Sequence, residues 1–494
     1  MNQDEINALR AQPIKPQMHL IDAQRVPASN GAVMEILSPI DGQTLTTVAK
    51  GTKQDMNAAI ASARAAFNDG RWSKQPPAMR KKVLFKWAEL IEAEALSLAV
   101  LGVRDNGTEI NMALKAEPGS AAGTIRYYAE ALDKVNGEIA TTSDDVLGLV
   151  LREPVGVVGA IIPWNFPLMI GAWKLAPALA MGNSVVLKPA ETASLSLLRM
   201  AELALEAGLP PGILNVVTGH GAVVGEAMGL SMDVDVLVFT GSGQTGRRLL
   251  EYSAQSNLKR VYLELGGKSP NIVFADAPDL DEAAKIAAMG IFRNSGQVCV
   301  AGSRLLVEAS IHDDFVDAVA KAAQALRVSN PLDLSSQVGA INSEQQLLQN
   351  LSFVEAAQAE GGEITTGGSR VLEATGGYYM APTIITGVTP QATIAQNEVF
   401  GPVLGVTSFV DETEAIRIAN STVYGLAGGV WTSNLSRAHR MIREVRTGVM
   451  HVNTYGGADS TVPLGGVGQS GNGHDKSLHA LDKYINLKTA WIKL

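Results

Sequence analysis

One cysteine stands in the 494 residues, Cys299, in the stretch Asn294-Ser295-Gly296-Gln297-Val298-Cys299, and it follows the carboxylate of Glu264 by 35 positions. A thiol and a carboxylate are the parts of covalent thiol catalysis, the first as nucleophile and the second as the base that activates water. A lone cysteine also serves as a small buried hydrophobe, so its context decides. Gly296 reads as the place where backbone can approach the thiol, and a helix start or a cation beside the sulfur would ionise it at neutral pH. Three more segments carry suitable groups. Pro163-Trp164-Asn165-Phe166-Pro167 holds an uncharged amide in a rigid turn, fit for an oxyanion or for the turn itself. Lys188-Pro189-Ala190-Glu191 could hold two ribose hydroxyls or form a surface pair. Gly241-Ser242-Gly243-Gln244-Thr245-Gly246 spells GxGxxG, between an apolar run and a helix-like segment from Arg247 to Ala254, as a dinucleotide phosphate at a helix start requires. That fingerprint expects an acidic ribose ligand about 20 positions on, near Glu264. Spacing alone therefore leaves Glu264 open between cofactor ligand and catalytic base.

The elements that must position these groups are legible as a βαβ series. From Pro154 to Glu264, β-branched runs such as Ser184-Val185-Val186-Leu187 and Val234-Asp235-Val236-Leu237-Val238-Phe239 alternate with stretches rich in Ala, Leu and Glu. Runs without polar alternation imply strands covered on both faces, hence a largely parallel sheet between helices. Lys53 to Gly70 and Pro77 to Leu101 are predicted helices of an outer layer. A second series follows residue 265: strand Pro270 to Phe274, helix Leu280 to Asn294, strand Arg304 to Val307. Cys299 then lies between a helix and a strand, with Glu264 at the seam where a cleft forms. Gly137 to Arg152 reads as a hairpin-like excursion. Asn486 to Leu494 reads as a terminal strand, expected to pair across a subunit boundary because a lone apolar strand is an open edge.

Composition bounds the function classes. With 46% hydrophobic and 18% charged residues the chain has the balance of a globular protein, too long for one core. A net charge of −9 and the lack of a basic tract argue against nucleic acid. One cysteine forms no internal disulfide, and residues 1 to 18 read as no secretory signal, so a cytoplasmic location is expected. Pro154 to Trp173 is uncharged and long enough to span a bilayer, but Pro163, Asn165 and Pro167 at its centre point instead to strand, turn and helix. The seven histidines show no zinc-type spacing, so no metal is expected. Cysteine–histidine hydrolase chemistry stays open on residues alone, because a partner histidine can lie far away in sequence.

Taken together, the Asn165, Lys188–Glu191 and GxGxxG segments, Glu264-Leu265-Gly266-Gly267-Lys268, Gly296-Gln297-Val298-Cys299 and Glu398-Val399-Phe400-Gly401-Pro402 resemble the NAD(P)-dependent aldehyde dehydrogenase superfamily. Tyr128-Ala129-Glu130-Ala131 and Gln469 to Gly473, followed by Asp475-Lys476-Ser477-Leu478-His479-Ala480-Leu481, resemble its bacterial branch acting on γ-glutamyl-γ-aminobutyraldehyde and other ω-amino or guanidino aldehydes. The resemblance implies an α/β fold of two doubly wound domains with a small β oligomerisation element. The NAD-binding domain would span 1–127 and 150–264, the catalytic domain 265–476, and the oligomerisation element 128–149 and 477–494. It makes Cys299 the nucleophile, Glu264 the base and Asn165 the oxyanion donor, with Lys174 and Asp475 assisting proton movement. NAD would lie against Ile161, Pro163, Trp164, Lys188, Glu191, Gly221, Phe239, Thr240, Gly241, Ser242, Gly246, Leu265, Glu398 and Phe400. Glu191 would repel a 2′-phosphate and favour NAD over NADP. Phe166, Trp173, Asp459 and Leu464 would meet the aldehyde, with Asp459 attracting a cationic tail. The product would be a free acid and the protein a homo-oligomer, dimer or tetramer. Broad aliphatic or aromatic specificity, or acyl transfer to coenzyme A, are the alternatives. Pro463-Leu464-Gly465-Gly466 and Asp105-Asn106-Gly107-Thr108-Glu109 depart from common family patterns, the first suggesting a wider substrate mouth and the second loosening any transfer of substrate identity.

Overall fold

The computed structural model describes residues 2–457 and 459–494. An eight-stranded sheet runs in the order Gln24–Val26, His19–Ile21, Leu214–Val216, Ser184–Lys188, Val157–Ile161, Val236–Thr240, Arg260–Glu264, Gly471–Asn472. Its five central strands are parallel and its outer pairings antiparallel. Four of the five are buried at every residue, which is why their sequences show no polar alternation. From Val157–Ile161 the chain lays down two strands on one side, then returns to place Val236–Thr240 and Arg260–Glu264 on the other. This reversal opens a crevice beyond the carboxyl ends of Val157–Ile161 and Val236–Thr240.

A seven-stranded sheet follows, ordered Glu363–Thr366, Thr383–Thr386, Val403–Phe409, Arg304–Glu308, Pro270–Val273, Ala427–Trp431, Val449–Val452. All its pairings are parallel except the one made by Glu363–Thr366. The loop bearing Cys299 enters the strand Arg304–Glu308 from its amino end. It thereby faces the carboxyl-end crevice of the first sheet.

Helix Lys53–Asp69 starts at a capping box of Thr52 and Asp55 and stops at left-handed Gly70. The single helix expected from Pro77 to Leu101 is two, Pro77–Ala93 and Ala95–Asn106. Glu94 leaves helical geometry between them and gives its carboxylate to Arg199, at 2.9 and 2.5 Å. The helix expected from Arg247 begins earlier, at Gly243, because Ser242 caps it by accepting from the Thr245 amide. Pro154 to Trp173 resolves into strand, turn and the helix Pro167–Ala180, and no described helix is long and apolar enough to cross a membrane.

The terminal strand finds a partner within its own chain on one edge. Ile485–Lys493 pairs over nine residues with Val146–Pro154 of its own chain, and Glu138–Ala140 completes a three-stranded antiparallel sheet. The excursion supplies the partner that sequence reading had sought in another subunit. The far edge of Ile485–Lys493 stays open and exposes Leu487, Trp491 and Ile492.

Candidate active site

Two cavities meet at Cys299 and Asn165. The first, about 420 Å³, is lined by Trp164, Thr240, Ser242, Glu264, Leu265, Glu398 and Phe400, among others. The second, about 200 Å³, lies among Phe166, Met169, Trp173, Val300 and Leu464. Cys299 and Asn165 line both, so the sulfur can be reached from either side.

The loop that presents the thiol is held in an unusual backbone. Asn294, Ser295 and Gly296 are successively left-handed, with φ of 48°, 53° and 72°. The Thr108 hydroxyl donates to Asn294 Oδ1 at 2.8 Å and the Asn294 amide donates to Glu109 at 3.0 Å. Ser295 donates to the Gly339 carbonyl at 2.9 Å. Gly296 is needed for a different neighbour than expected: a Cβ there would sit 2.1 Å from the Gly401 carbonyl oxygen, so the close approach is to the Gly401 backbone. The glycine that faces the cysteine is Gly267, whose Cβ would fall 2.7 Å from the Cys299 carbonyl oxygen. The Asn165 amide donates to the Gln297 carbonyl at 2.9 Å, which fixes the side chain beside the thiol and leaves its second N–H.

The first cavity continues into a crevice of about 380 Å³, sharing Pro163, Trp164, Thr240, Gly241 and Ser242 with it and adding Ile161, Lys188, Glu191, Gly221, Phe239 and Arg248. Lys188 and Glu191 pair at 3.0 Å, and Glu191 accepts from the Gly221 amide at 2.6 Å. Opposite lies the amino end of the helix Gly243–Ala254. Gly246 packs on Leu265, where a Cβ would be 3.0 Å away. Farther along, Glu398 accepts from the Gly267 amide at 3.0 Å, and a Cβ on Gly266 would fall 1.8 Å from its carboxylate. Phe400, left-handed with φ 56°, sets its ring edge-on to Trp164 at 5.2 Å. Lysine and carboxylate at one end, backbone amides of a helix start between, and a second carboxylate near the thiol suit the ribose, pyrophosphate and second ribose of NAD. Thr240 Oγ1, buried here without a protein partner, is a further free hydroxyl in the crevice.

Charge inside the site is set by burial. Burial, then the carboxylates Glu398 and Glu264, push the Cys299 thiol up to about 12. Neither a helix start nor a cation ionises the sulfur: it follows the carboxyl end of the short turn Arg293–Gly296, and although the Arg293 cation faces it, the charges that weigh most on it are the two carboxylates. Burial and the charge of Asp475 raise Glu264 well above the carboxylate range, while Lys174 and Lys483 oppose them. Burial brings Glu398 to about 7.

Asp459 is placed apart from these groups. It is exposed, accepts from the Thr461 amide at 2.7 Å, and lies outside the lining of the second cavity. Besides Cys299, the ionisable residues that line that cavity are Arg293, His451 and Lys476, the last of which faces the charge of Asp459. Sequence reading missed Thr108 and Glu109 as supports of the cysteine loop, Gln346 and Tyr424 in the first cavity, and Lys483 beneath Glu264. Lys483 follows the quoted Asp475 to Leu481 stretch by two residues, directly after Asp482, and nothing local in the sequence marks it as buried.

A family model described as the aldehyde dehydrogenase family matches residues 26–490. The NADP/NAD-dependent aldehyde dehydrogenase PuuC of Escherichia coli is 48% identical over 474 residues, covering 96% of this chain and 95% of its own. A crystal structure of a γ-glutamyl-γ-aminobutyraldehyde dehydrogenase from Burkholderia cenocepacia superposes with a TM-score of 0.98 at 48% identity, covering both chains fully. The indole-3-acetaldehyde dehydrogenase AldA of P. syringae, solved in complex with NAD+, superposes at 0.99 with 48% identity and the same full coverage.

Proposed function

The chain belongs to the aldehyde dehydrogenase family, and from that premise we propose that it oxidises an aldehyde to the free acid with NAD as acceptor, through a covalent intermediate on Cys299. The observation that carries this reading is the position of Cys299 on the wall common to the second cavity and the first, which opens into the crevice. Aldehyde enters through the second cavity. Cys299 releases its proton to solvent through the open cavity and, as thiolate, attacks the carbonyl carbon, forming a thiohemiacetal. The free N–H of Asn165 and the Cys299 amide hold the oxyanion as it develops. NAD held by the crevice residues would supply a cationic nicotinamide ring as the hydride acceptor for this carbon. The thioester that remains is hydrolysed by water that Glu264 deprotonates, and Asp475 with Lys174 lies behind Glu264 to take part in proton movement. A buried carboxyl with Oε1 unpartnered is placed to bind that water. An acyl transfer to coenzyme A would leave this base without a task.

Glu191, tied to Lys188, faces the place of a 2′-phosphate and favours NAD over NADP. For the substrate, the second cavity has an apolar body with cations and no carboxylate among its described lining residues. A long aldehyde whose far end carries both a carboxylate and an ammonium, as a γ-glutamylamino aldehyde does, suits a wall where Arg293 and Lys476 stand with Asp459 facing Lys476. The apolar wall also accommodates aromatic aldehydes. The NAD-binding unit comprises residues 1–127 and 150–264, the catalytic unit 265–476, and the three-stranded sheet with its open edge serves homo-oligomer assembly. A lone thiol suits a reducing compartment, which favours the cytoplasm. The test is NADH formation from a panel of amino-, guanidino-, γ-glutamylamino- and aryl-substituted aldehydes without coenzyme A. Strict dependence on added thiol overturns the hydrolytic reading, and Cys299→Ala with undiminished oxidation overturns the site.

A further inference from the structure

Beneath Glu264 lie three charged side chains with almost no solvent contact: Lys174, Asp475 and Lys483 are 1%, 0% and 3% exposed. Lys174, from the helix Pro167–Ala180, binds Asp475 Oδ2, and Lys483, from the turn Leu478–Tyr484, binds Oδ1. Each carboxylate oxygen therefore has its own ammonium. The remaining groups facing this cluster are Glu264 itself, the Tyr128, Tyr262 and Tyr484 phenols, the His474 ring, which meets Glu264 across Gly465, and the Lys476 ammonium, which faces Asp475 and Asp459 while the cations acting on Glu264 are Lys174 and Lys483. Glu264 shares the first cavity with Cys299.

One lysine with Asp475 makes a neutral pair, and an ionised Glu264 beside it would be an uncompensated buried anion, which is strongly disfavoured. A second lysine makes the set cationic by one, and ionised Glu264 then balances it. We infer that Lys483 is a positioning residue for thioester hydrolysis: it supplies the second ammonium that lets buried Glu264 exist as a carboxylate and so act as base. This inference rests on the hydrolytic reading above. The pull of Lys483 on both carboxylates agrees in direction, lowering Glu264 and Asp475 alike.

The test separates the two half-reactions. Lys483→Met should keep the first-turnover burst of NADH, while the acid limb of steady-state turnover moves to higher pH by about one unit or more, a loss of about tenfold at fixed pH on that limb. Lys483→Arg should return the limb toward its original position. Should Lys483→Met fail to fold, Asp475→Asn is compared with Asp475→Asn/Lys483→Met, where no half-paired carboxylate is left; adding the methionine should again move the limb alkaline. Limbs that coincide in the folded pair of variants, with the burst present, overturn the role of Lys483 alone. A wild-type enzyme without a burst or steady NADH formation overturns the reading on which it stands.

Discussion

Replacing Asn165 by alanine tests whether the amide is catalytic or merely holds the loop. Its Nδ2 spends one N–H on the Gln297 carbonyl at 2.9 Å, so the other is available to an oxyanion formed on Cys299. Alanine removes both. The structural part of the loss is small, because the Gln297 carbonyl keeps the Asn294 amide group at 3.3 Å, and one replaceable hydrogen bond contributes about 1 kcal/mol. The catalytic part is larger: an oxyanion donor is worth about 3 kcal/mol in a water-excluded site, or on the order of a hundredfold in rate. Stopped-flow NADH measurement should therefore show the burst rate falling by about two orders of magnitude in a protein whose melting stays close to wild type. Acylation should then limit turnover and the burst amplitude vanish. A burst that stays within about threefold of wild type in a folded variant would refute the oxyanion role and reduce Asn165 to a loop anchor.

Glu264→Gln should preserve one NADH per site in the first turnover while steady-state rate falls by about two orders of magnitude or more. Intact mass spectrometry should then find the acyl group on Cys299, and a lost burst would contradict the assignment. In the cofactor-free enzyme the Cys299 thiol, pushed up to about 12, is protonated throughout the neutral range, so the thiolate fraction grows tenfold per pH unit below that value. Alkylation by iodoacetamide should climb accordingly from pH 7 to 10, and a plateau reached by pH 8 would show an ionised thiol. Glu191→Gln should raise kcat/KM for NADP relative to NAD by about tenfold, by removing the charge opposed to a 2′-phosphate and releasing Lys188 to meet it; an unchanged ratio would place the specificity elsewhere.

The fold was readable where one local property sufficed. Uninterrupted β-branched runs marked the buried parallel strands, and the two prolines around Asn165 separated strand from helix in the apolar stretch that could have passed for a membrane span. The terminal strand was read correctly as a strand and wrongly as lacking a partner in its chain, since pairing across more than 300 residues leaves no local mark. The left-handed geometry at Asn294 and Ser295 was invisible for a similar reason: neither residue demands it, and distant groups impose it. Ionisation went astray because sequence displays charges without their distances. The charges that weigh most on Cys299 proved to be carboxylates, and the second ammonium at Asp475 comes from a residue eight positions along the chain, in a turn whose burial no periodicity announces.

The stretch Asp105 to Glu109 shows what such distant constraint accomplishes. As a departure from a common pattern it reads most simply as a change in substrate preference, yet these side chains are buried and line neither cavity at the cysteine. Asp105 accepts from the Leu195 amide at 3.0 Å, at the start of the helix Leu195–Glu206. Thr108 and Glu109 take the side chain and backbone of Asn294. Two non-glycine residues held left-handed cost about 1 kcal/mol or more each, and persist only when their surroundings leave no alternative. Here the surroundings come from four directions: Glu109, Gly339, Gly401 and, through the Gln297 carbonyl, Asn165. Asn165 is thus bound to the loop whose product it would stabilise. Any shift of the Cys299 backbone is transmitted to the amide facing the same sulfur, so nucleophile and oxyanion donor keep their separation as one unit.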